Sequence, residues 1–396
     1  MKGHLKNTTV ELFPSLEMAS MNDTDLDVIS QMIEALVPNI AILALYIVIG
    51  ILGNSVVIHI YMNKMRECTD SKFFIPCLAS ADILASTTGG ICAIYMHYHG
   101  WDFVNEYSCK ALWYAMTATT SGAAMILVFI ATHRYLKICQ LYGHVKLMEK
   151  KIPITIGIYL VSFAISSPLL VTSGISEYTF MNMTFSKCER ISSKYHHGTE
   201  FYFSIGFTIF EALVVVSIAS IMTVLYVKVG LKLYHHFKMA GRKLSANNPL
   251  NVIKENCRDS SASIDSQLSN NQQEQKASNS TLEKSIKKNM SFDTESKRIR
   301  CKQEKFNRKH KYTYIFIAIS VVCIVTYTPR MTLMIMETIN EYFWISSYYN
   351  IHLYSFLKFL NRFYIVNNVA NPFLYAMFDS KFKRQLFCFI TCQEPD

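Results

Sequence analysis

Three ionisable residues stand inside long apolar stretches of this sequence and are the first candidates for chemistry. Asp82, Glu211 and Arg330 are each flanked by aliphatic and aromatic residues. Burying an ionised group in apolar surroundings is costly, so such residues contact partners, water or a ligand and are functional candidates. The natural partners of Asp82 are four amide side chains: Asn54, Asn367, Asn368 and Asn371.

Arg330 belongs to a helical face that also carries Tyr327 and Met334, at spacings of three and four residues. If Glu211 faces Arg330 across the fold, two interpretations are open. The pair is either a structural ion pair or a means of selecting a ligand with polar ends. Enzyme chemistry is not expected, because the sequence shows no nucleotide loop, no metal-ligand cluster and no nucleophile with a spaced base.

Long helices must position these residues. Of the 396 residues, 51% are hydrophobic and only 17% are charged, against about 25% charged in ordinary soluble proteins. Apolar windows long enough to cross a bilayer predict α-helices, because lipid offers the backbone no hydrogen-bond partner. The seven windows are 36–62, 73–97, 109–136, 153–174, 201–229, 313–338 and 351–377. We therefore predict an all-α membrane protein, a bundle of seven transmembrane helices.

Basic residues orient this bundle. The loops after the first, third and fifth spans, together with the C-terminal tail, hold 30 of the 39 Lys and Arg residues, which predicts that they are cytosolic. The net charge of +10 is thereby explained by topology, and nucleic-acid binding is not expected. The N-terminus is predicted outside the plasma membrane and without a removable signal peptide. Three sequons then face outward, at Asn7, Asn22 and Asn182.

The chain divides into five regions. We predict an extracellular tail over 1–35, five transmembrane helices over 36–241, and two more over 306–378. Residues 242–305 are rich in Ser, Asn, Gln, Lys and Glu and are predicted to form a disordered cytosolic loop, with a folded inserted domain as the alternative. The last region, 379–396, is predicted to hold a short amphipathic eighth helix and the cytosolic tail.

Two cysteines are predicted to face the oxidising compartment, where disulfides persist. These are Cys109, at the outer end of the third span, and Cys188, in the loop before the fifth span. Near the C-terminus, Cys388 and Cys392 follow the predicted eighth helix and suit palmitoylation, with unreactive thiols as the alternative.

Several motifs resemble those of rhodopsin-like G protein-coupled receptors along nearly the whole chain outside the third cytosolic loop. Arg134 lies in Thr-His-Arg-Tyr, 25 residues after Cys109, and Asp82 ends Leu-Ala-Ser-Ala-Asp. Asn371 and Pro372 open Asn-Pro-Phe-Leu-Tyr, which ends at Tyr375. The remaining motif residues are Gly53 with Asn54, Trp101, Tyr226, Pro329 and Phe382.

The resemblance implies roles for these residues. Arg134 would contact a heterotrimeric G protein and move toward Tyr226 and Tyr375 on activation, with Asn371 and Pro372 in the same machinery. Pro329 would kink the sixth helix and act as its hinge. A snorkelling arginine is the alternative for Arg134. His133 stands where the family has an acidic residue that restrains the arginine, so raised basal signalling is expected.

The resemblance also makes the cluster of Asp82, Asn54, Asn367 and Asn371 an allosteric sodium pocket, with a purely hydrogen-bonded polar core as the alternative. The usual serine of that pocket is replaced by Ala123. No other cofactor or metal is expected.

The ligand class follows by elimination. Met116 replaces the aspartate that binds amines in the family, and Ile365 replaces the lysine that binds retinal. We predict a ligand site formed by Met116, Glu211, Tyr327, Arg330 and Met334. Lys358 and Arg362 are further candidate contacts, with lipid headgroups or the first span as the alternatives for both. A peptide is the first choice of ligand, and a small molecule or lipid is the second.

The predicted partners are the ligand, a heterotrimeric G protein, membrane lipids, and a receptor kinase with arrestin acting on the serines of 242–305. Two rival functions remain. A scavenger receptor would keep the fold without G protein coupling. A transporter or channel with Asp82 as ion relay would require paired half-bundles, which the sequence does not show.

Overall fold

The structure is a computed structural model that describes residues 23–64, 69–100, 103–140, 147, 149–180, 183–190, 199–246, 312–337, 340, 343–347 and 350–391. Several predictions fall outside the described residues. They are residues 1–22 of the predicted tail, the three sequons, Trp101, Cys392 and all but the first five residues of 242–305.

The described residues form eleven α-helices and one β-hairpin. In chain order the elements are α1 Asp23–His59, α2 Thr69–Tyr98, α3 Glu106–Cys139, α4 Lys151–Ser166, α5 Leu169–Thr172, β1 Ser173–Phe180, β2 Met183–Arg190, α6 Thr199–Ala246, α7 Tyr312–Glu337, α8 Phe343–Ser347, α9 Ile351–Arg362, α10 Val366–Phe378 and α11 Ser380–Thr391. A π-helical turn, Ile60–Lys64, extends α1, and a 3-10 turn, Phe363–Ile365, joins α9 to α10.

Among the described residues, six helical segments are long and apolar enough to cross a membrane: Ser30–Lys64, Phe73–Tyr98, Glu106–Cys139, Lys151–Thr172, Tyr202–His235 and Tyr312–Glu337. The seventh predicted span, 351–377, is divided by the 3-10 turn into α9 and α10. Neither part alone is long enough to cross a bilayer. The fold is that of an all-α membrane protein, as predicted.

Two helices extend beyond the predicted transmembrane regions. Helix α1 begins at Asp23, within the predicted tail over 1–35, and its residues Met32 and Leu36 lie one turn apart and are buried. The loop over 242–305 was expected to start after residue 241, yet α6 continues to Ala246. The added residues include Arg, Lys, Leu and Ala, which favour helix.

Helix α3 occupies the centre of the bundle, in contact with α2, α4 and α6. Helix α1 contacts α2, α9 and α10. Close approach is required where Gly50 meets α2, since a Cβ at this position would lie 2.3 Å from the hydroxyl of Ser86. A large apolar core joins α1, α2, α3, α6, α7 and α10 at the end of the bundle that holds Arg134. We name this the Arg134 end.

The opposite end carries the hairpin, and we name it the disulfide end. Strands β1 and β2 pair antiparallel in register from Ser173 with Arg190 to Phe180 with Met183. The predicted pair, Cys109 and Cys188, is bonded and fastens β2 to the first turn of α3. The hairpin itself was not predicted from the sequence.

Candidate functional site

Two adjoining cavities open at the disulfide end. The first, which we name the apolar cavity, lies between α3, α6 and α7 and holds about 810 Å³ of empty space, counting the part open to solvent. The second, the charged cavity, lies toward the hairpin and α9 and holds about 620 Å³ on the same measure. Trp113 and Arg330 line both, so the two cavities are continuous at these side chains.

The five residues predicted to bind the ligand all line the apolar cavity: Met116, Glu211, Tyr327, Arg330 and Met334. The structure therefore brings them together, although their role toward a ligand stays a prediction. Lys358 and Arg362, which had lipid headgroups as an alternative, line the charged cavity instead.

The structural ion pair between Glu211 and Arg330, one of the two interpretations that the sequence left open, is not formed in the structure. Glu211 forms an ion pair with Arg190, at the end of β2, and both side chains are only 13% exposed. Arg190 also donates a hydrogen bond to Thr208 at 3.3 Å. The reason for the difference is the disulfide, because Arg190 is only two residues from Cys188 and is held over α6. The proximity to Cys188 was the signal in the sequence that could have indicated Arg190.

Arg330 finds an amide partner rather than a carboxylate. Its guanidinium donates a hydrogen bond to the side-chain oxygen of Asn361 on α9. It also lies 5.9 Å from the centre of the Trp113 ring, in a cation–π arrangement. Arg330 therefore links α7 to α9 at the point where the two cavities meet.

Aromatic rings hold the lysines of the charged cavity. The ammonium of Lys358 lies 4.1 Å from the ring centre of Trp344 and 5.2 Å from that of Tyr354. Lys187 on β2 forms an ion pair with Glu189 at 3.3 Å. Trp344 belongs to α8, a short helix that sequence reasoning did not find. The cavity thus combines fixed cations with aromatic walls.

A polar cluster lies deeper in the bundle around Asp82, which is fully buried. Asn371 donates a hydrogen bond to Oδ2 of Asp82 at 2.6 Å. Asn54 instead donates to the backbone oxygens of Gly50 and Asn368, each at 3.0 Å. Of the predicted partners, Asn371 is therefore the one that the structure bonds to the carboxylate.

The cluster retains oxygen atoms without hydrogen-bond partners among the described residues. They are Oδ1 of Asp82, Asn54, Asn367 and Asn371. A carboxylate with neutral amide oxygens is a donor set that suits a small hard cation. The residues present therefore fit the sodium ion that the resemblance implies, although Ala123 offers no hydroxyl.

At the Arg134 end, Arg134 is 3% exposed and its guanidinium lies 4.9 Å from the centre of the Phe316 ring on α7. Phe316, Tyr226 and Tyr375 belong to the same buried core. The three residues predicted to act together in activation thus lie close to one another. The Tyr375 hydroxyl is buried and forms no hydrogen bond to any other described residue.

His133 is fully buried beside Arg134 in the chain, and its ring lies 4.6 Å from that of Phe74, centre to centre. The side chain therefore packs against α2 as an aromatic ring. A carboxylate at this position would be buried against the Phe74 ring, next to Arg134. Pro329 lies within α7, one residue before Arg330, as predicted.

Helix α11 is the predicted amphipathic eighth helix. Phe382 is buried in the core, whereas Phe387 and Phe389 are at least half exposed. Cys388 is half-buried. Asp379, which was not among the predicted site residues, caps this helix by accepting hydrogen bonds from the backbone of Lys381 and Phe382 at 3.0 and 3.1 Å.

The bundle, its bonded hairpin and its two ends define a seven-helix membrane receptor. The sequence pattern described as "7 transmembrane receptor (rhodopsin family)" matches residues 53–375. This chain therefore belongs to the rhodopsin family of seven-transmembrane receptors. Receptors of this family are not enzymes.

Curated relatives match shorter stretches. Over 171 residues the chain is 26% identical to the type-1 angiotensin II receptor B of Xenopus laevis, covering 42% of this chain and 45% of that receptor. It is 31% identical over 100 residues to the oxoeicosanoid receptor 1 of Homo sapiens, covering 25% and 26% of the two chains. It is 32% identical over 78 residues to Opsin-VA of Rutilus rutilus, covering 20% of each. The matches span less than half the length of these relatives.

Proposed function

We propose that this chain is a plasma-membrane receptor that binds an extracellular peptide and activates a heterotrimeric G protein. One observation carries the proposal. The same helix bundle holds a pair of cavities with charged walls at the disulfide end and a buried arginine, with Tyr226 and Tyr375 beside it, at the other. A ligand and a G protein would thus act on opposite ends of α3, α6 and α7.

The disulfide and the basic loops both support an orientation in which the disulfide end faces outward. Disulfides persist in oxidising compartments, and the Cys109–Cys188 bond lies at this end. The basic loops are connected to the Arg134 end, as expected of cytosolic segments. The sequons at Asn7, Asn22 and Asn182 would then lie outside the cell.

The cavities support a ligand with both polar and apolar parts. The charged cavity offers hydrogen-bond donors and cations, and the apolar cavity beneath it is lined by Met116, Met334 and Tyr327. Peptides have this mixed character. A small lipid-like molecule is the second candidate, favoured by the apolar lining and by the relative named as an oxoeicosanoid receptor. Retinal bound as a Schiff base is disfavoured because Ile365 replaces the necessary amine.

The polar cluster has a supporting role in this proposal. Asp82 with the amide oxygens of Asn54, Asn367 and Asn371 would hold a sodium ion, which would supply positive charge to the buried carboxylate. Asp82 and Asn371 join α2 to α10 by a hydrogen bond. This bond fixes α10, the second part of the seventh span, relative to α2.

Receptor kinases and arrestin would act on the cytosolic serines. The loop between α6 and α7 contains many of them, whereas only Ser380 and Thr391 follow the seventh span. The exposed Phe387 and Phe389 would attach α11 to the membrane. Palmitoylation of Cys388, which lies between them in the chain, would add a second attachment.

Guanine-nucleotide exchange on purified heterotrimeric G proteins tests the proposal. The full-length receptor in lipid nanodiscs should accelerate exchange without ligand, because His133 replaces the restraining acid. Arg134→Ala should abolish the acceleration, and Arg384→Ala, an exposed arginine of α11, should not. A native receptor that accelerates exchange on no G protein subtype, with or without a peptide library, would support the scavenger function instead.

A further inference from the structure

Arg362 is a buried cation whose side chain donates hydrogen bonds only to sulfur atoms among the described residues. The residue is 7% exposed, at the end of α9. One terminal nitrogen of its guanidinium donates to the sulfur of Met116 at 3.1 Å, and the other donates to the sulfur of Met96 at 3.5 Å. Its Nε has no partner among the described residues. Thioether sulfur is a weak acceptor, so this charge lacks the strong acceptor that a buried guanidinium requires.

Arg362 differs in this respect from the neighbouring arginines. Arg190 has the carboxylate of Glu211, and Arg330 has the amide oxygen of Asn361. The nearest lysine on the same helical face, Lys358, is one turn away and lies against aromatic rings. The structure therefore places two cations of α9 side by side without a carboxylate bound to either among the described residues.

The residues that line the surrounding cavity also carry more positive than negative charge. The charged cavity is lined by four cationic residues but by only two carboxylates. One carboxylate, Glu189, is already paired with Lys187. The other, Glu337, lines the cavity from the end of α7. An anion entering this cavity would meet an excess of positive charge.

The position of Arg362 also defines what such an anion must be attached to. Met116, which accepts its hydrogen bond, is a wall of the apolar cavity. Trp113, one turn away on α3, lines both cavities. A ligand whose anionic group reached Arg362 could therefore extend its apolar part along Trp113 and Met116 into the apolar cavity.

We propose that Arg362 is an anion subsite that binds a carboxylate of the ligand, with Lys358 as the second cation. The guanidinium fork matches the two oxygens of a carboxylate and would exchange its sulfur partners for them. The ligand class is a monocarboxylate joined to an apolar body, of which a peptide C-terminus and a fatty acid are the two sources. The inference rests on the proposed ligand-binding function of the same cavities.

Two matched probe pairs test the proposal on the full-length receptor in nanodiscs. The peptide pair is N-acetyl-leucyl-phenylalanine and its C-terminal amide, and the lipid pair is decanoate and decanamide. Binding is titrated to millimolar concentration by tryptophan fluorescence, since Trp113 and Trp344 line the cavities. In at least one pair the affinity for the acid should exceed the affinity for the amide by a factor of about ten or more, as expected for hydrogen bonds to a charged group. The pair that shows this preference identifies the source.

Substitutions connect the preference to Arg362. Arg362→Met suits the sulfur-rich surroundings and should reduce the acid-to-amide ratio to about one, while Arg362→Lys should keep part of it. Arg384→Met, in exposed α11, is the matched control and should leave the ratio unchanged. Thermal melting of each variant shows whether it is folded. If Arg362→Met does not fold, the acid-to-amide ratio is measured in Arg362→Lys and in Lys358→Met instead. The proposal then requires that this ratio fall in both variants.

Three results overturn the inference: no binding of either acid, equal affinity for acid and amide, or an unchanged preference in Arg362→Met. The proposed function is judged separately by unliganded nucleotide exchange. Exchange with no acid preference removes the anion subsite alone. An acid preference without exchange keeps the subsite and removes the G protein function.

Discussion

Breaking the ion pair between Arg190 and Glu211 should destabilise the receptor far more than breaking an exposed pair. The two residues join the hairpin to α6, and each side chain is 13% exposed. Glu211→Gln leaves the guanidinium of Arg190 buried with a weaker partner, and Arg190→Met leaves the carboxylate of Glu211 without its cation. Both changes therefore retain a buried charge whose compensation has been lost.

The magnitude follows from this burial. Removing one partner of a fully buried ion pair costs roughly 3–5 kcal/mol, and the remaining exposure of this pair places the expected loss at about 2–3 kcal/mol. The double variant Arg190→Met/Glu211→Gln removes both charges. Its loss should be smaller than the sum of the single losses by about 1.5 kcal/mol or more, because neither charge then remains unpaired.

Equilibrium unfolding in mixed detergent micelles, followed by tryptophan fluorescence, measures these differences. Lys110 and Glu106 provide the control, since their pair on α3 has side chains that are 26% and 59% exposed. Glu106→Gln should change the free energy of unfolding by only about 0.5 kcal/mol. The reasoning is refuted if Glu211→Gln costs no more than Glu106→Gln, or if the two single losses simply add in the double variant.

Three further predictions concern the cytosolic side. His133→Asp should lower unliganded nucleotide exchange, because a carboxylate beside Arg134 restrains it, and an unchanged rate would contradict the proposed reason for high basal activity. His133→Asn is the uncharged control. Asp379→Ala should destabilise α11 by about 1 kcal/mol through loss of its cap and speed amide hydrogen exchange there, whereas Tyr61→Phe should keep the cap. Deleting 250–300 should abolish agonist-driven arrestin recruitment while G protein activation persists, and undiminished recruitment would refute the role of the loop.

The sequence was sufficient for the parts of the fold that depend on hydropathy and on spacing along one helix. Long apolar windows identified the membrane helices, and Tyr327, Arg330 and Met334 share a helical face whatever their partners are. These three residues line one cavity for this reason, and Met116 and Glu211 join them from α3 and α6. The pairing of Cys109 with Cys188 was accessible because topology left few cysteines on that side.

Partners that lie far apart in the chain were not accessible in the same way. The pairing of Glu211 depends on where the hairpin is held, and no periodicity in the loop between α5 and α6 indicates its register. Asp379 is a second residue whose distant partner was not predicted. It caps α11 and also accepts a hydrogen bond from Tyr61 at 2.9 Å, and this second contact joins residues 318 positions apart. Local propensity predicts the cap, but only the packed bundle shows the link to α1.

The position of α7 explains how the two ends of the molecule can influence each other. Above Pro329, this helix carries Arg330 and Met334 into the cavities, and below it Phe316 packs under the guanidinium of Arg134. A proline removes one hydrogen bond of the helix and permits bending at that point. A ligand that draws Arg330 away from Asn361 would therefore change the angle of the segment that covers Arg134. Binding of the ligand and binding of the G protein would then favour the same orientation of α7. Each would therefore raise the affinity for the other by the same factor.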